Sequence, residues 1–141
     1  MKIVLDSDVI VVGLISSKGA GFCLLRRFPD RKIQVYTAKK QINEINKVLV
    51  RSSFNWTINK NLWQNWQKKV EKIALEKNNK LQSYLNDPND SHILALAKKT
   101  KANFILTYNL KDYKKDKIKD KFNILVVSPG YFLQYLRSLN I

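Results

Sequence analysis

The sequence predicts an α/β fold of three layers, α/β/α, around a central parallel sheet of about four to five strands. Short apolar runs of strand length alternate with longer stretches whose apolar residues recur at helical spacing, and that alternation favours parallel strands covered on both faces. Apolar residues make up 45% of the 141 positions, with three Trp, six Tyr and six Phe. That is enough to bury the core of one domain spanning residues 1–141. No internal repeat, low-complexity tract or long linker divides it.

Lys2 to Leu5 reads as the first strand and stops at Asp6. Residues 7–16, "SDVIVVGLIS", follow as a helix with Ser7 or Asp8 as N-cap. "SKGAG" breaks the chain, and "FCLLRRF" makes a short amphipathic helix closed by Pro29. "KIQVY" is the second strand. Thr37 then caps a helix through "AKKQINEINKVLV", on which Ile42, Ile45, Val48 and Leu49 form an apolar stripe. The longest helix is expected over residues 59–77, where Leu62, Trp66, Val70 and Ile73 recur at helical spacing with Trp63 beside them. "NDPND" is loop and cap, "SHILALAKKT" a helix, and "ANFILTY" a buried strand. The charge run 111–121 reads by default as a solvated basic connector with room for one helical turn. "NILVV" is the last strand, and "SPGYFLQYLRSL" a helix with Ser128 as N-cap and Pro129 at its first position.

Twenty-six Lys and Arg stand against eleven Asp and Glu, a formal net charge of +15. This balance favours a polyanionic partner, nucleic acid or an acidic protein, through long-range attraction and counterion release. A lysine-rich surface also serves solubility alone. The single cysteine, Cys23, has no partner for an internal disulfide, which fits a reducing, cytoplasmic setting and a small buried apolar role. No apolar run is long enough to span a bilayer. The opening "MKIVLDSDVIVVGLIS" is interrupted by Asp6 and Asp8 and lacks a small-residue cleavage pattern, so it reads as strand and helix rather than signal peptide.

The scarce carboxylates fall where elements begin and end. Asp6 directly follows the first strand, Asp90 begins the helix before the third, and Asn109 and Asp112 follow that third strand. Glu44 sits midway along the helix after the second strand, at the margin of its stripe. In an open parallel sheet the carboxyl ends of the strands form one edge, where sites lie near the switch in strand order. Clustered carboxylates repel and resist burial unless a cation compensates. Mg²⁺ and Mn²⁺ favour oxygen donors, carry water as a nucleophile and neutralise charge developing on a phosphodiester. His92, the lone histidine, is more readily a hydrogen-bonded polar residue than a ligand, and no Ser-His-Asp set exists. Each acid also has a plain structural use. Asp8, Asp87 and Asp90 suit helix caps, Glu44 suits solvent, and Asp112 suits a pair with Lys111 or Lys115. Asp116 and Asp120 suit the solvated basic run.

Four stretches carry a resemblance: "IVLDSDVIVVGLIS" with "SKGAG" after it, "YTAKKQINEINKVL", "DPNDSHILALAKKTKANFILTYNLKDY" and "NILVVSPGYFLQYL". In this order, over almost the whole chain, they resemble the PIN-domain proteins, in particular the VapC-like toxins of bacterial toxin–antitoxin pairs. The resemblance implies a PIN-like α/β/α fold and a ribonuclease dependent on Mg²⁺ or Mn²⁺. Carried over by position, Asp6, Glu44 and Asp90 match the family's first three acids. At the fourth the chain has Asn109 instead, with Asp112 supplying the remaining charge and Asn109 a neutral oxygen. That departure puts tight binding of a second metal in doubt. Asp6, Glu44, Asp90 and Asp112 are thus the expected catalytic and metal-holding set.

Asp8, where the family often has Asn, is expected to support that set, with Thr37, Asp87, Thr107 and Asn109. Lys39, Lys40, Lys111, Lys114 and Lys115 would hold phosphates of an RNA substrate, and Tyr108 and Tyr113 would stack bases. The family association further implies a small cognate antitoxin. The helix of Trp63 and Trp66 serves either the core or a docking surface for that antitoxin or a second copy of the chain. Two other functions stay open: a non-catalytic PIN-fold module gripping RNA or protein, and a PIN nuclease of RNA maturation.

Overall fold

A computed structural model describes residues 1–51, 57–76 and 79–141. Its five strands are β1 (Lys2–Leu5), β2 (Gln34–Ala38), β3 (Glu71–Ile73), β4 (Phe104–Leu106) and β5 (Leu125–Val127). All neighbouring pairs are parallel, in the order β3-β2-β1-β4-β5. Seven α-helices accompany them among the described residues: α1 (Ser7–Ile15), α2 (Ala20–Arg27), α3 (Lys39–Arg51), α4 (Lys60–Lys69), α5 (Ser91–Thr100), α6 (Lys115–Phe122) and α7 (Pro129–Ser138). None of these is long and apolar enough by itself to cross a membrane.

Three layers follow from the two-residue period of the strands. Ile3 and Leu5 of β1, with Phe104 and Leu106 of β4, pack against Val9, Leu24, Trp66 and Phe132 from α1, α2, α4 and α7. The alternate residues Val4 and Ile105 face the other way, onto Ile93 and Leu96 of α5 and Ile118 of α6. Ser128 caps α7 by accepting the Tyr131 N–H (3.1 Å), with Pro129 at the first helical position. That helix start is the one its sequence signals.

Four elements differ from expectation. The helix expected over 59–77 ends at Lys69, and Glu71–Ile73 becomes the edge strand β3, paired with β2 alone. Lys77 lies outside the described residues. Trp66, Val70 and Ile73 satisfy a helical stripe, but the free side of β2 offers a backbone ladder, and exposed Glu71 and Lys72 protect the resulting edge. Thr37 does not cap α3. β2 runs on through Ala38, and the buried Thr37 hydroxyl donates to Gln41 Oε1 at 2.7 Å. The charge run includes the helix α6, anchored by a fully buried Ile118 and closed by Asn123 in the left-handed conformation (φ 57°). Asp116 in its first turn and Lys119 and Lys121 in its last suit the helix dipole. At the head of α1 the N-cap is Asp6, not Ser7 or Asp8.

Trp63 and Trp66 are buried, stack at 5.7 Å, and are tied in by Trp63 Nε1 donating to Asn46 Oδ1 at 2.9 Å. They serve the core and offer no docking surface. Cys23 is only partly buried against that core.

α1 and α2 meet at 95° through two glycines. A Cβ on Gly13 would stand 2.8 Å from the Gly21 carbonyl oxygen, and one on Gly21 would stand 2.8 Å from that of Val9. Neither clash can be relieved without shifting α2 against α1, the helix that carries Asp8 and is capped by Asp6. Gly21→Ala is therefore expected to lower stability by about 1–3 kcal/mol. Gly130→Ala, in the open on α7, should raise it by about 0.5–1 kcal/mol. Urea midpoints of the two variants check both signs.

Candidate metal centre

Asp6 ends β1 where the strand order reverses, between β2 on one side and β4 on the other. Its amide donates to the Leu106 carbonyl (2.8 Å), so the carboxylate starts from a fixed point on the sheet. That carboxylate is buried and accepts three hydrogen bonds. Ser7 N–H donates to Oδ1 (2.7 Å), while the hydroxyls of Thr107 (3.0 Å) and Tyr113 (2.9 Å) donate to Oδ2. All three donors are neutral. Burial, and then the Asp6 charge, hold the Tyr113 phenol well above its usual range, so it remains a donor.

Asp8 turns towards the loop after β4. Its Oδ2 accepts from Tyr108 N–H (3.0 Å), Asn109 Nδ2 (3.0 Å) and, at longer range, the Thr107 hydroxyl (3.4 Å). Its Oδ1 is buried without a hydrogen-bond partner. Burial first, then the nearby Asp6 charge, push the carboxyl up to about 6.

Two turns clamped to each other bring in the remaining acids. Asn86 and Asp87 N–H both point at the Asp112 carbonyl (2.8 and 3.4 Å), Lys114 N–H donates to Tyr84 O (3.0 Å), and Asn86 Nδ2 donates to Lys111 O (2.6 Å). A single antiparallel bridge joins Leu85 to Tyr113. As a result one carboxylate oxygen each from Asp87, Asp90 and Asp112 lies within 4.8 Å of the others. Asp87 caps its turn by accepting Asn89 N–H (3.0 Å), whereas Asp90 stands at the N-cap position of α5 and makes no cap bond. Asp90 Oδ2 is buried and unpartnered. Burial, followed by the charges of Asp6, Asp87, Asp112 and Asp8, push its carboxyl up to about 7.

Glu44 approaches from α3. An open cleft of about 440 Å³ is lined by Asp6, Lys40, Glu44, Asp90 and His92 among others, so Glu44 shares a cavity with two of the acids without joining the close triad. Its Oε2 lies 3.1 Å from His92 Nε2, an ion-pair distance without hydrogen-bond alignment. Burial holds His92 below its ordinary value against the opposing pull of Glu44. Of the expected phosphate-holding lysines, Lys40 lines this cleft, while Lys39, Lys111, Lys114 and Lys115 are exposed outside its lining. Tyr108 is exposed, but Tyr113 is buried and bonded to Asp6, so it cannot stack on a base.

Two participants were not anticipated in these roles. Gln41 is fully buried, accepts the Thr37 hydroxyl and donates to Leu5 O (2.6 Å) and Ser7 Oγ (3.3 Å). It thereby ties the ends of β1 and β2 to α3. A polar side chain within an apolar helix face was the available signal. Tyr113 offered none, because its partner lies 107 positions away.

The donors fit a hard divalent cation. They are carboxylates alone, three converge, and buried oxygens of Asp8 and Asp90 lack partners. Oxygen-only sites of this kind suit Mg²⁺, Mn²⁺ or Ca²⁺.

The sequence profile of the PIN domain matches residues 2–111. A solved structure described as "Crystal structure of VapBC2 from Rickettsia felis bound to a DNA fragment from their promoter" is similar in fold, with a TM-score of 0.58 and 14% identity, over 89% of this chain and 97% of that one. No curated protein matches the sequence.

The raised Asp90 carboxyl sets a pH dependence. Between the ordinary carboxylate value of 3.8 and about 7 the folded protein holds a proton that the unfolded chain has released. Its stability is therefore greatest at the acid end of that window and is lost as pH rises through it. In EDTA, the stability of wild type relative to Asp90→Asn should fall across about pH 4 to about pH 8. Thermal melts of the two proteins over that range check the sign, and a flat or rising difference would refute it.

Proposed function

Because this chain belongs to the PIN-domain family, we propose that it is a divalent-metal-dependent endoribonuclease, the toxin of a toxin–antitoxin pair. Its substrate would be single-stranded RNA or a structured RNA loop in the cytoplasm. The convergence of Asp87, Asp90 and Asp112 in a chain of net charge +15 is the observation that carries this reading. PIN domains are in general nucleases. A positive protein draws in a polyanion, and local negative charge at one edge suits a cation that meets it.

Asp90, with Asp87 and Asp112, would hold the ion, and Asp6 would support it from the sheet edge. When bound, a Mg²⁺ or Mn²⁺ ion supplies Lewis-acid stabilisation of the phosphate and a water of lowered pKa. Glu44 would accept a proton from the attacking water through Oε1, its Oε2 being held beside His92. Thr107 and Tyr113 keep Asp6 aimed without neutralising it, since each donates a hydrogen bond and brings no charge. Gln41 holds Thr37 and the end of β1 in register with Glu44's helix. The toxin assignment is supported by the fold shared with a protein crystallised as a VapBC2 complex with promoter DNA. A small antitoxin would silence the chain by covering the acid-lined cleft.

Asp90→Asn should stay folded yet lose Mn²⁺-stimulated RNA cleavage by about 1000-fold, the loss of several kcal/mol of charge stabilisation. Asp6→Asn should fall in the same direction, and EDTA should abolish wild-type cleavage until Mn²⁺ is restored. Gel assays on defined RNAs, with a circular dichroism control, measure all three. Wild-type rates in both variants would end the nuclease reading.

A further inference from the structure

One wall of the cleft is a face of α3 whose cations, unlike Glu44 among them, have no part in the metal-centred chemistry. Lys40, Glu44, Lys47 and Arg51 recur at i, i+4, i+7 and i+11, which aligns them in a single stripe. All four line the cleft together with Asp6 and Asp90. From Lys40 to Arg51 the stripe extends about 16 Å, at about 1.5 Å per residue. Glu44 sits among these cations, yet its close polar contact is to His92. Among the described residues no acid forms an ion pair with Lys40, Lys47 or Arg51, and all three are exposed. Three cations left unpaired beside a cluster of acids are free to meet anions brought by something else.

We infer that this stripe is a track for the phosphate backbone of a single-stranded nucleic acid. Lys40, in the first turn of α3, holds one phosphate, and Lys47 and Arg51 hold others further along the strand. The cleft suits a polyphosphate better than an acidic peptide. A single row of charges follows one strand. Lysine and arginine on flexible stems suit phosphates whose spacing varies, and exposed Val48 in the same lining gives apolar surface to a sugar or base edge. The polyanion's identity rests on the nuclease reading. Binding, however, is measured without metal, so the two ideas fail separately.

The test is fluorescence anisotropy in EDTA with a labelled single-stranded RNA of about 12 nucleotides, titrated over a range of salt. Wild type is compared with Lys47→Gln/Arg51→Gln and with Lys68→Gln/Lys121→Gln, which removes the same charge from α4 and α6. Loss of two phosphate contacts should reduce the slope of log K against log salt by about 1.4 and weaken low-salt binding by about 10-fold. The control pair should behave as wild type, and single-stranded DNA of the same sequence should lose as much as RNA. Equal losses in both double variants would overturn the track in favour of net charge alone. So would an unchanged slope, tighter binding of a duplex, or, with labelled polyglutamate titrated in parallel, a loss confined to that polyanion. Mn²⁺-stimulated cleavage by wild type is measured alongside. If it is absent while the stripe variant alone loses RNA binding, the track stands and the nuclease reading falls.

Discussion

Burying the Asp6 carboxylate at the end of β1 is the constraint on which the site depends. A charged group out of water needs its lone pairs filled, and here the donors come from three places: Ser7 next in sequence, Thr107 after β4, and Tyr113 beyond the following turn. Once Tyr113 is drawn in to reach Asp6, the turn before it has little freedom. Asp112 is then fixed beside the 86–90 segment through its own carbonyl. One buried carboxylate thus organises the position of three others that it does not touch.

Neutral donors serve here where cations were plentiful. The sequence has twenty-six Lys and Arg, yet among the described residues none forms an ion pair with Asp6, Asp8, Asp87, Asp90 or Asp112. A lysine placed among these acids would stabilise the folded chain by relieving their repulsion. It would also occupy the position a dissociable cation needs. Burial first, and then the uncompensated charges of neighbouring acids, raise the carboxyls of Asp8 and Asp90 to about 6 and about 7. That is a cost in stability near neutral pH, and an ion that binds the folded protein offsets it.

Which parts of this were legible in the sequence follows the range of the interactions that made them. Ser128 before Pro129, the helix over 91–100 and the strand ending at Asp6 are local signals, and each is found where its residues indicate. The acids expected at strand ends are distributed differently: Asp90 and Asp112 converge with Asp87, while Asp6 lines a cleft with Asp90 and Glu44. β3 was hidden because its apolar spacing fits a helix equally well, and only the vacant side of β2 decides between them. α6 was hidden by its charge, since one buried Ile118 suffices to seat a short helix whose other faces are wet. The partners of Asp6 and the bridging role of Gln41 rest on contacts across tens of positions, which periodicity cannot register.

The pairing of an acid at position 8 with an amide at position 109 has a physical reason of the same kind. Asp8 Oδ2 and Asn109 Nδ2 are 3.0 Å apart, a distance at which two carboxylates could coexist only by sharing a proton. With an amide at 109 the contact becomes a donated hydrogen bond, and the backbone N–H of Tyr108 adds a second to the same oxygen. An acid at 8 therefore favours an amide at 109. That pairing leaves Asp112 as the acid that the loop after β4 can offer to the centre, and the clamp between the two turns sets it within reach of Asp87 and Asp90. The loop after β4 thus presents an amide to Asp8 and, three residues on, an acid to Asp87 and Asp90.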